Sequence, residues 1–210
     1  METKNVGKLV LVRHTESEWN QLGKWTGVVD VHLSPLGFET AKKMGKLIEG
    51  IHIDKIFTSA QIRSKETLWS IQEGSSLPKD TPTEEAKELN ERDYGDYTGK
   101  NKWEMQKLLG EEEFIKIRRG WDCNIPNGES LKMVYERSMP FFLSNILPVL
   151  KDGKNVLVVC HGNSGRAIMK YIENISDLDI AKVEFPFGQV LIYDLGGDGH
   201  ILHKEVLQLS

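Results

Sequence analysis

The sequence predicts an α/β protein, a three-layer α/β/α arrangement around a mostly parallel sheet with a helical insertion at one end. Two apolar β-forming runs predict the sheet: residues 9–12 and 156–160. Each is too short for a helix, and each stops at a histidine. Strand and helix patterns alternate from the first run onward, an order that calls for crossover helices on a parallel sheet. The 210 residues read as one domain, 1–210, with 87–128 inserted as a cover.

The first run, Leu9-Val10-Leu11-Val12, leads directly into Arg13-His14. Its carboxyl end is where ligands bind in open α/β sheets. A guanidinium grips phosphate oxygens as a fork, and an imidazole beside it can act as nucleophile or acid/base. The same string also reads as a strand that merely ends in two polar residues. Residues 21–31 form a loop in which Lys24-Trp25-Thr26-Gly27 offers a hydroxyl and a glycine open to close approach. Ser34-Pro35 starts a helix, with Phe38, Ala41, Gly45 and Ile48 facing inward and Gly50 at its end. Lys42, Lys43 and Lys46 form its solvated face.

A second strand is expected over 53–58 and a helix from 59 to 72, with Ile62, Leu68 and Ile71 inward. Arg63 falls in the first turn of that helix, where a cation opposes the dipole unless an anion is near. Residues 74–82 are a polar linker. The stretch 89–99 is irregular and carries Glu91, which within its own window reads equally as a solvated acid. Residues 102–109 and 111–119 form two helices split by Gly110, and Arg118-Arg119 suit a last turn without any ligand. Ser130 opens a long helix through Val149, which Pro140 and Pro148 should kink or end. The 87–128 block thus lies between the second and third sheet strands and could lid the crevice.

The run 156–160 ends in His161-Gly162-Asn163-Ser164, followed by an amphipathic helix to about 173. Adjacent strands lie about 4.8 Å apart, so neighbouring placement would let His14 and His161 face one phosphate together. The helix start at Gly162 would add backbone N–H donors. Residues 190–195 and 201–206, joined across Gly196-Gly197-Asp198-Gly199, read as a β-hairpin.

A net charge of −4 argues against general nucleic-acid or membrane partners. No apolar run approaches the ~20 residues that span a bilayer. The opening Met1-Glu2-Thr3-Lys4-Asn5 carries no apolar leader, and a cytoplasmic location is expected. Cys160 reads as core and Cys123 as loop; neither has metal-site neighbours, and no disulfide is expected.

Together these motifs resemble the histidine phosphatase superfamily and, within it, the cofactor-dependent phosphoglycerate mutase family in its short form. The resemblance spans about residues 8–206. It rests on Arg13-His14-Thr15-Glu16-Ser17-Glu18-Trp19-Asn20, Thr26-Gly27 with Asp30, Leu33 and Ser34, and Thr58-Ser59 with Arg63. Leu89-Asn90-Glu91-Arg92 with Tyr94-Gly95, Lys102, Arg118-Arg119, Pro126-Asn127-Gly128-Glu129-Ser130 and His161-Gly162-Asn163-Ser164 complete it.

The resemblance implies that His14 becomes phosphohistidine and that Arg13, Arg63 and His161 bind the transferring phosphoryl group with help from Asn20. Glu91 would be the general acid/base. Thr26, Gly27, Tyr94, Lys102, Arg118, Arg119, Gly162 and Asn163 would position the substrate. The implied reaction interconverts 2- and 3-phosphoglycerate, primed by 2,3-bisphosphoglycerate and needing no metal. Three departures stand out: Thr15 where the mutases carry Gly, Val28-Val29 where an aromatic is usual, and a short 119–130 stretch. They keep open a histidine-type phosphatase acting on a small phosphomonoester or bisphosphoglycerate. A catalytically dead phosphate-binding module is the third alternative. Monomer and homo-oligomer both remain open.

Overall fold

A computed structural model describes residues 6–209. Residues 1–5, where no apolar leader was expected, lie outside the described residues, as does Ser210. Among the described residues six strands form one sheet: β1 (Lys8–Arg13), β2 (Lys55–Ser59), β3 (Thr83–Ala86), β4 (Val156–Cys160), β5 (Gln189–Leu195) and β6 (Ile201–Gln208). Their order is β3-β2-β4-β1-β5-β6. The first four are mutually parallel, and the hairpin β5–β6 adds two antiparallel strands on the β1 side.

The helices are α1 (Glu18–Gln21), α2 (Pro35–Leu47), α3 (Ile62–Glu73), α4 (Lys102–Leu109), α5 (Glu111–Arg119), α6 (Leu131–Phe141), α7 (Leu147–Lys151) and α8 (Gly162–Ile172). Side-chain alternation along the strands divides the core between the two faces of the sheet. Leu9, Leu11, Val156, Val158 and Tyr193 pack with α6 and α8 on one face. Val10, Val12, Leu157, Val159 and Ile192 pack with α2 and α3 on the other. The α/β/α layering thus follows from the continuous apolar runs of the central strands β1 and β4, since a strand buried on both faces needs no polar side. Among the described residues no helix is long and apolar enough to cross a membrane.

Several expectations need correction. Strand β3 was not expected, because its Thr-Glu-Glu-Ala string has no apolar run. As the edge strand beside β2 it buries only Ala86, so its charged residues face outward. The 87–128 block therefore lies between the third and fourth strands in chain order. Strand β2 starts at Lys55 rather than at 53.

On α2, Phe38 faces solvent, while Gly37 and Met44 join the expected Ala41 and Gly45 on the inner face, and Ile48 is buried just past the helix end as expected. Gly37 is needed there: a Cβ would lie 2.0 Å from the Glu16 carbonyl, so the helix rests directly on the loop that follows β1. On α3, Ile62 is half-buried, and Ser64, Thr67 and Ser70 share the inner face with Leu68 and Ile71. Pro140 does not end α6. The helical ladder widens to π geometry over Phe142–Ile146 and returns to α with Pro148 in the first turn of α7.

The inserted block has its own apolar centre. Trp25 packs with Tyr94, Met105, Phe114, Ile117 and Ile125, which seats α4 and α5 beyond the carboxyl ends of β1 and β4.

Candidate active site

Strands β1 and β4 are direct parallel neighbours, with Arg13 opposite Cys160. Both chains leave the sheet at the same level, and the His14 N–H still donates to the Cys160 carbonyl at 2.8 Å. The His14 and His161 ring centroids come within 4.8 Å. Both rings are buried. The His14 Nδ1 lies 2.6 Å from the Thr15 carbonyl. A carbonyl only accepts, so Nδ1 carries the proton and Nε2 keeps its lone pair. Burial first, then the charges of Arg63 and Arg13, hold the His14 pKa well below the ordinary imidazole value. The ring is therefore neutral near neutral pH. His161 is also held low, by burial and then by Arg63. Its Nε2 lies 2.6 Å from the Ser59 hydroxyl at the end of β2.

The two arginines are fixed by backbone carbonyls rather than by carboxylates. Arg13 donates to the Phe185 carbonyl at 2.9 Å and lies 4.0 Å from the centre of the Phe187 ring. Arg63 donates to the carbonyls of Gly27 at 2.8 Å and Val29 at 2.9 Å. Gly27 adopts φ +55°, a left-handed turn that presents its carbonyl to Arg63. Burial lowers the Arg63 pKa to about 10, which leaves it charged. Carbonyl partners orient a guanidinium without neutralising it, so both positive charges remain available to an anion.

Glu91 completes the inner wall. Its carboxylate accepts four N–H bonds, from Arg92 N at 2.8 Å, Gly162 N and Asn163 N at 3.1 Å, and Asn163 Nδ2 at 3.0 Å. Burial pushes its pKa up, but these bonds together with Arg13 and Arg63 outweigh it, and Glu91 sits below the usual carboxylate value. The start of α8 was expected to offer its N–H groups to a phosphate. The Gly162 and Asn163 N–H groups point at Glu91 instead, because that carboxylate is the nearest anion to a helix N-terminus.

The expected residues divide between two adjoining chambers, except His161, which lines neither and reaches the site through its contact with the His14 ring. The inner one, about 40 Å³, is lined by Arg13, His14, Asn20, Thr26, Gly27, Arg63, Glu91, Tyr94 and Lys102. The outer one, about 130 Å³, shares Arg13, Glu91, Tyr94 and Lys102 and adds Arg118, Arg119, Gly162 and Asn163. Asn20 reaches the inner chamber while its Oδ1 accepts from Ser17 at the start of α1. Lys102 has its pKa lowered to about 8 by burial and by Arg118 and Arg13.

Several residues have a part that their local sequence does not assign, Arg92 of the 89–92 motif among them. Gln61 ties the Gly27 carbonyl to the Glu91 N–H. Buried Arg92 donates to the carbonyls of Ile117 and Arg118, and so fixes the end of α5. Arg166 lines the outer chamber, as do residues 183–186. Glu184 in that strap lies 2.6 Å from Arg119. The strap carries no phosphate-binding residue type, so nothing in its sequence marked it.

The donor set favours an anion. Arg13 Nε, Arg63 Nε, Thr26 Oγ1 and His161 Nδ1 are buried with no hydrogen-bond partner. Arg13, Lys102, Arg118, Arg119 and Arg166 face only two acids, Glu91 and Glu184, across the outer chamber. His14, Glu91 and His161 do bring three potential metal-ligand atoms within 4.8 Å of one another. Arg13 and Arg63 lie against that cluster, His14 Nδ1 is occupied, and both Glu91 oxygens already accept N–H bonds. The group is therefore poorly suited to a metal cation.

The family model for the histidine phosphatase superfamily (branch 1) matches residues 9–206. The chain belongs to this superfamily. Within it, the chain is 42% identical over 204 residues to a 2,3-bisphosphoglycerate-dependent phosphoglycerate mutase of Chelativorans sp., covering 96% of this chain and 98% of that one. It is 39% identical over 229 residues to 2,3-bisphosphoglycerate-dependent phosphoglycerate mutase 2 of Latilactobacillus sakei, with 96% and 100% covered. That second alignment is longer than this chain, so the Latilactobacillus relative carries residues with no counterpart here. Among solved structures of the superfamily fold, Bacillus stearothermophilus YhfR superposes with a TM-score of 0.82 at 25% identity, covering 97% and 98%. A mycobacterial glucosyl-3-phosphoglycerate phosphatase reaches 0.79 at 20% identity, covering 97% and 100%.

Proposed function

We propose that this member of the histidine phosphatase superfamily is a phosphoglycerate mutase that exchanges a phosphoryl group between the 2- and 3-positions of glycerate through His14, in the cytoplasm. The observation that carries the reading is the His14 ring: Nδ1 is held by the Thr15 carbonyl, and Nε2 is left bare beside two arginines whose charges are not neutralised. Phosphoryl transfer asks for this kind of positioning and charge compensation.

The inner chamber suits the transferring phosphoryl group, held by Arg13, Arg63 and His161 with Asn20 and Thr26 beside it. The outer chamber, with Lys102, Arg118 and Arg119, suits the second anionic end. The orphaned donors and the excess of cations fit 2,3-bisphosphoglycerate, which when bound would supply the phosphoryl group that primes His14. Glu91, an ionised carboxylate on the wall shared by both chambers, takes the proton from the substrate hydroxyl as that oxygen attacks phosphorus and the bond to His14 Nε2 breaks. In the reverse half, Glu91 returns the proton to the departing oxygen as His14 Nε2 bonds to phosphorus. Arg13 and Arg63 compensate the charge on the phosphoryl oxygens throughout.

The test is mutase turnover with and without 2,3-bisphosphoglycerate, together with mass spectrometry for acid-labile phosphate on His14. Turnover stimulated by the bisphosphate is expected; no turnover in either condition refutes the reading. The metal-free scheme expects full activity in EDTA. A second reading, hydrolysis of phosphohistidine, draws on the short 119–130 stretch and on the half-exposed Arg118 and Arg119 at the rim, where water can enter. Phosphate release that matches or exceeds mutase flux would favour it.

A further inference from the structure

Arg166, on α8, adds positive charge to the outer chamber but is given no proton-transfer or phosphoryl-transfer step above. Its side chain is nevertheless 6% exposed and surrounded by acceptors from three elements. One terminal nitrogen donates to the Asn163 Oδ1 at 3.2 Å. The other donates to the Arg119 carbonyl at the end of α5, at 2.8 Å, and to the Ile180 carbonyl at 2.6 Å. The planar fork is pinned on two sides and cannot turn away from Asn163.

This pinning has a chemical consequence for Asn163. A guanidinium has donors only, so the atom of the Asn163 amide that faces Arg166 is the oxygen. The Nδ2 then faces Glu91 Oε1 at 3.0 Å and the Tyr94 hydroxyl at 3.1 Å. Turned by 180°, the same amide would offer its oxygen to Glu91 and stabilise the protonated acid. Arg166 makes that orientation costly, because it would set an NH₂ group against a buried guanidinium.

We propose that Arg166 is a positioning residue: it fixes the orientation of the Asn163 amide and thereby holds Glu91 as a proton acceptor. The proposal rests on the reading of Glu91 as the proton-transfer group. Other groups also face that carboxylate: Arg13 from β1, Arg63 from α3, Lys102 from α4, Tyr94 from its own loop, and the rings of His14 and His161. The amide relay adds to their effect, and only the relay passes through Asn163.

The experiment is titration of the Glu91 carboxyl by carbon NMR in protein labelled with ¹³C-glutamate, assigned with Glu91→Gln. Arg166→Met, Arg166→Lys, Asn163→Leu and the double variants are compared. Arg166→Met is expected to raise the Glu91 pKa by about one unit, the scale of one lost hydrogen bond to a charged group. Arg166→Lys keeps the charge but not the fork, and is expected to raise it by part of that shift. In the Asn163→Leu background, neither Arg166 change should shift it further. An equal shift in both backgrounds would mean that the Arg166 charge acts directly, and would overturn the relay, as would no shift at all. If Arg166→Met does not fold, Arg166→Lys with Asn163→Leu completes the same cycle. The acid limb of kcat should move with the NMR titration. The titration needs no turnover, so full activity in Glu91→Gln would refute the functional reading while leaving the relay legible.

Discussion

His14 and His161 occupy equivalent places, each one residue past the end of a buried strand, yet they have opposite hydrogen-bond partners. His14 is held at Nδ1 by a backbone carbonyl, and its Nε2 is bare. His161 is held at Nε2 by the Ser59 hydroxyl, and its Nδ1 has no partner. A carbonyl dictates the tautomer, whereas a hydroxyl can donate or accept. One ring is thus committed as a nucleophile. The other can present a donor at Nδ1 while Ser59 accommodates either state. Two rings of one residue type, 4.8 Å apart, are differentiated by a single atom each.

Removing each histidine tests that difference. His14→Ala should abolish acid-labile phosphate and reduce turnover by at least about 10⁴-fold, the scale for a covalent nucleophile. His161→Ala should still form phosphohistidine but about 10²–10³-fold more slowly, as when one donor to a developing charge is lost. Equal losses in rapid-quench labelling would erase the distinction. Both rings have pKa values depressed by burial and nearby arginines, so the acid limb of activity should lie below the ordinary histidine value of about 6.5.

The outer chamber should report on the basic side. Lys102 is charged below its pKa of about 8 and neutral above it. An anion binds the charged form, so KM should be flat below that value and rise above it while kcat stays level. Lys102→Met should raise KM about ten- to a hundredfold, the scale of a bond to a charged group, and flatten the rise. A basic limb unchanged in Lys102→Met would assign it elsewhere. Ser59→Ala should be milder, about five- to tenfold in kcat for one ~1 kcal/mol hydrogen bond, and should spare the labelling site.

These contrasts also mark how far the sequence was legible. The strands ending at His14 and His161 were readable because apolar runs on a buried sheet are continuous, and because a parallel sheet brings their carboxyl ends together. Helices α4 and α5 were readable from Gly110 between them. Strand β3 was not: its pairing comes from β2, not from its own residues. Arg63 was singled out by a dipole argument, and the structure adds what that argument could not, namely that carbonyls 34 and 36 residues away hold it. Arg92, although part of the 89–92 motif, Arg166 and the strap 183–186 act by contacts between elements far apart in the chain, and no local pattern encodes those contacts.

Thr15 gives the smallest expected effect on catalysis and separates side chain from backbone at the nucleophile. It stands where the resemblance calls for glycine, and a β-branched side chain restricts the backbone there. Its hydroxyl is buried and donates to the Gly37 carbonyl at 2.8 Å, and its N–H donates to the Thr67 hydroxyl at 3.2 Å. The side chain therefore fastens the loop after β1 to α2, at the helix that Gly37 allows to approach. The His14 Nδ1, by contrast, bonds only to the residue-15 carbonyl, which every amino acid supplies. Thr15→Ala should lose the buried bond to the Gly37 carbonyl, which keeps its partner in the α2 ladder, and cost about 0.5–1.5 kcal/mol in urea unfolding. Thr15→Gly should cost more, because the unfolded chain gains freedom. In both, kcat should stay within about threefold, under ~0.7 kcal/mol in the barrier. A fall in kcat beyond that of Ser59→Ala, with unfolding unchanged, would mean that the threonine side chain itself orients the imidazole.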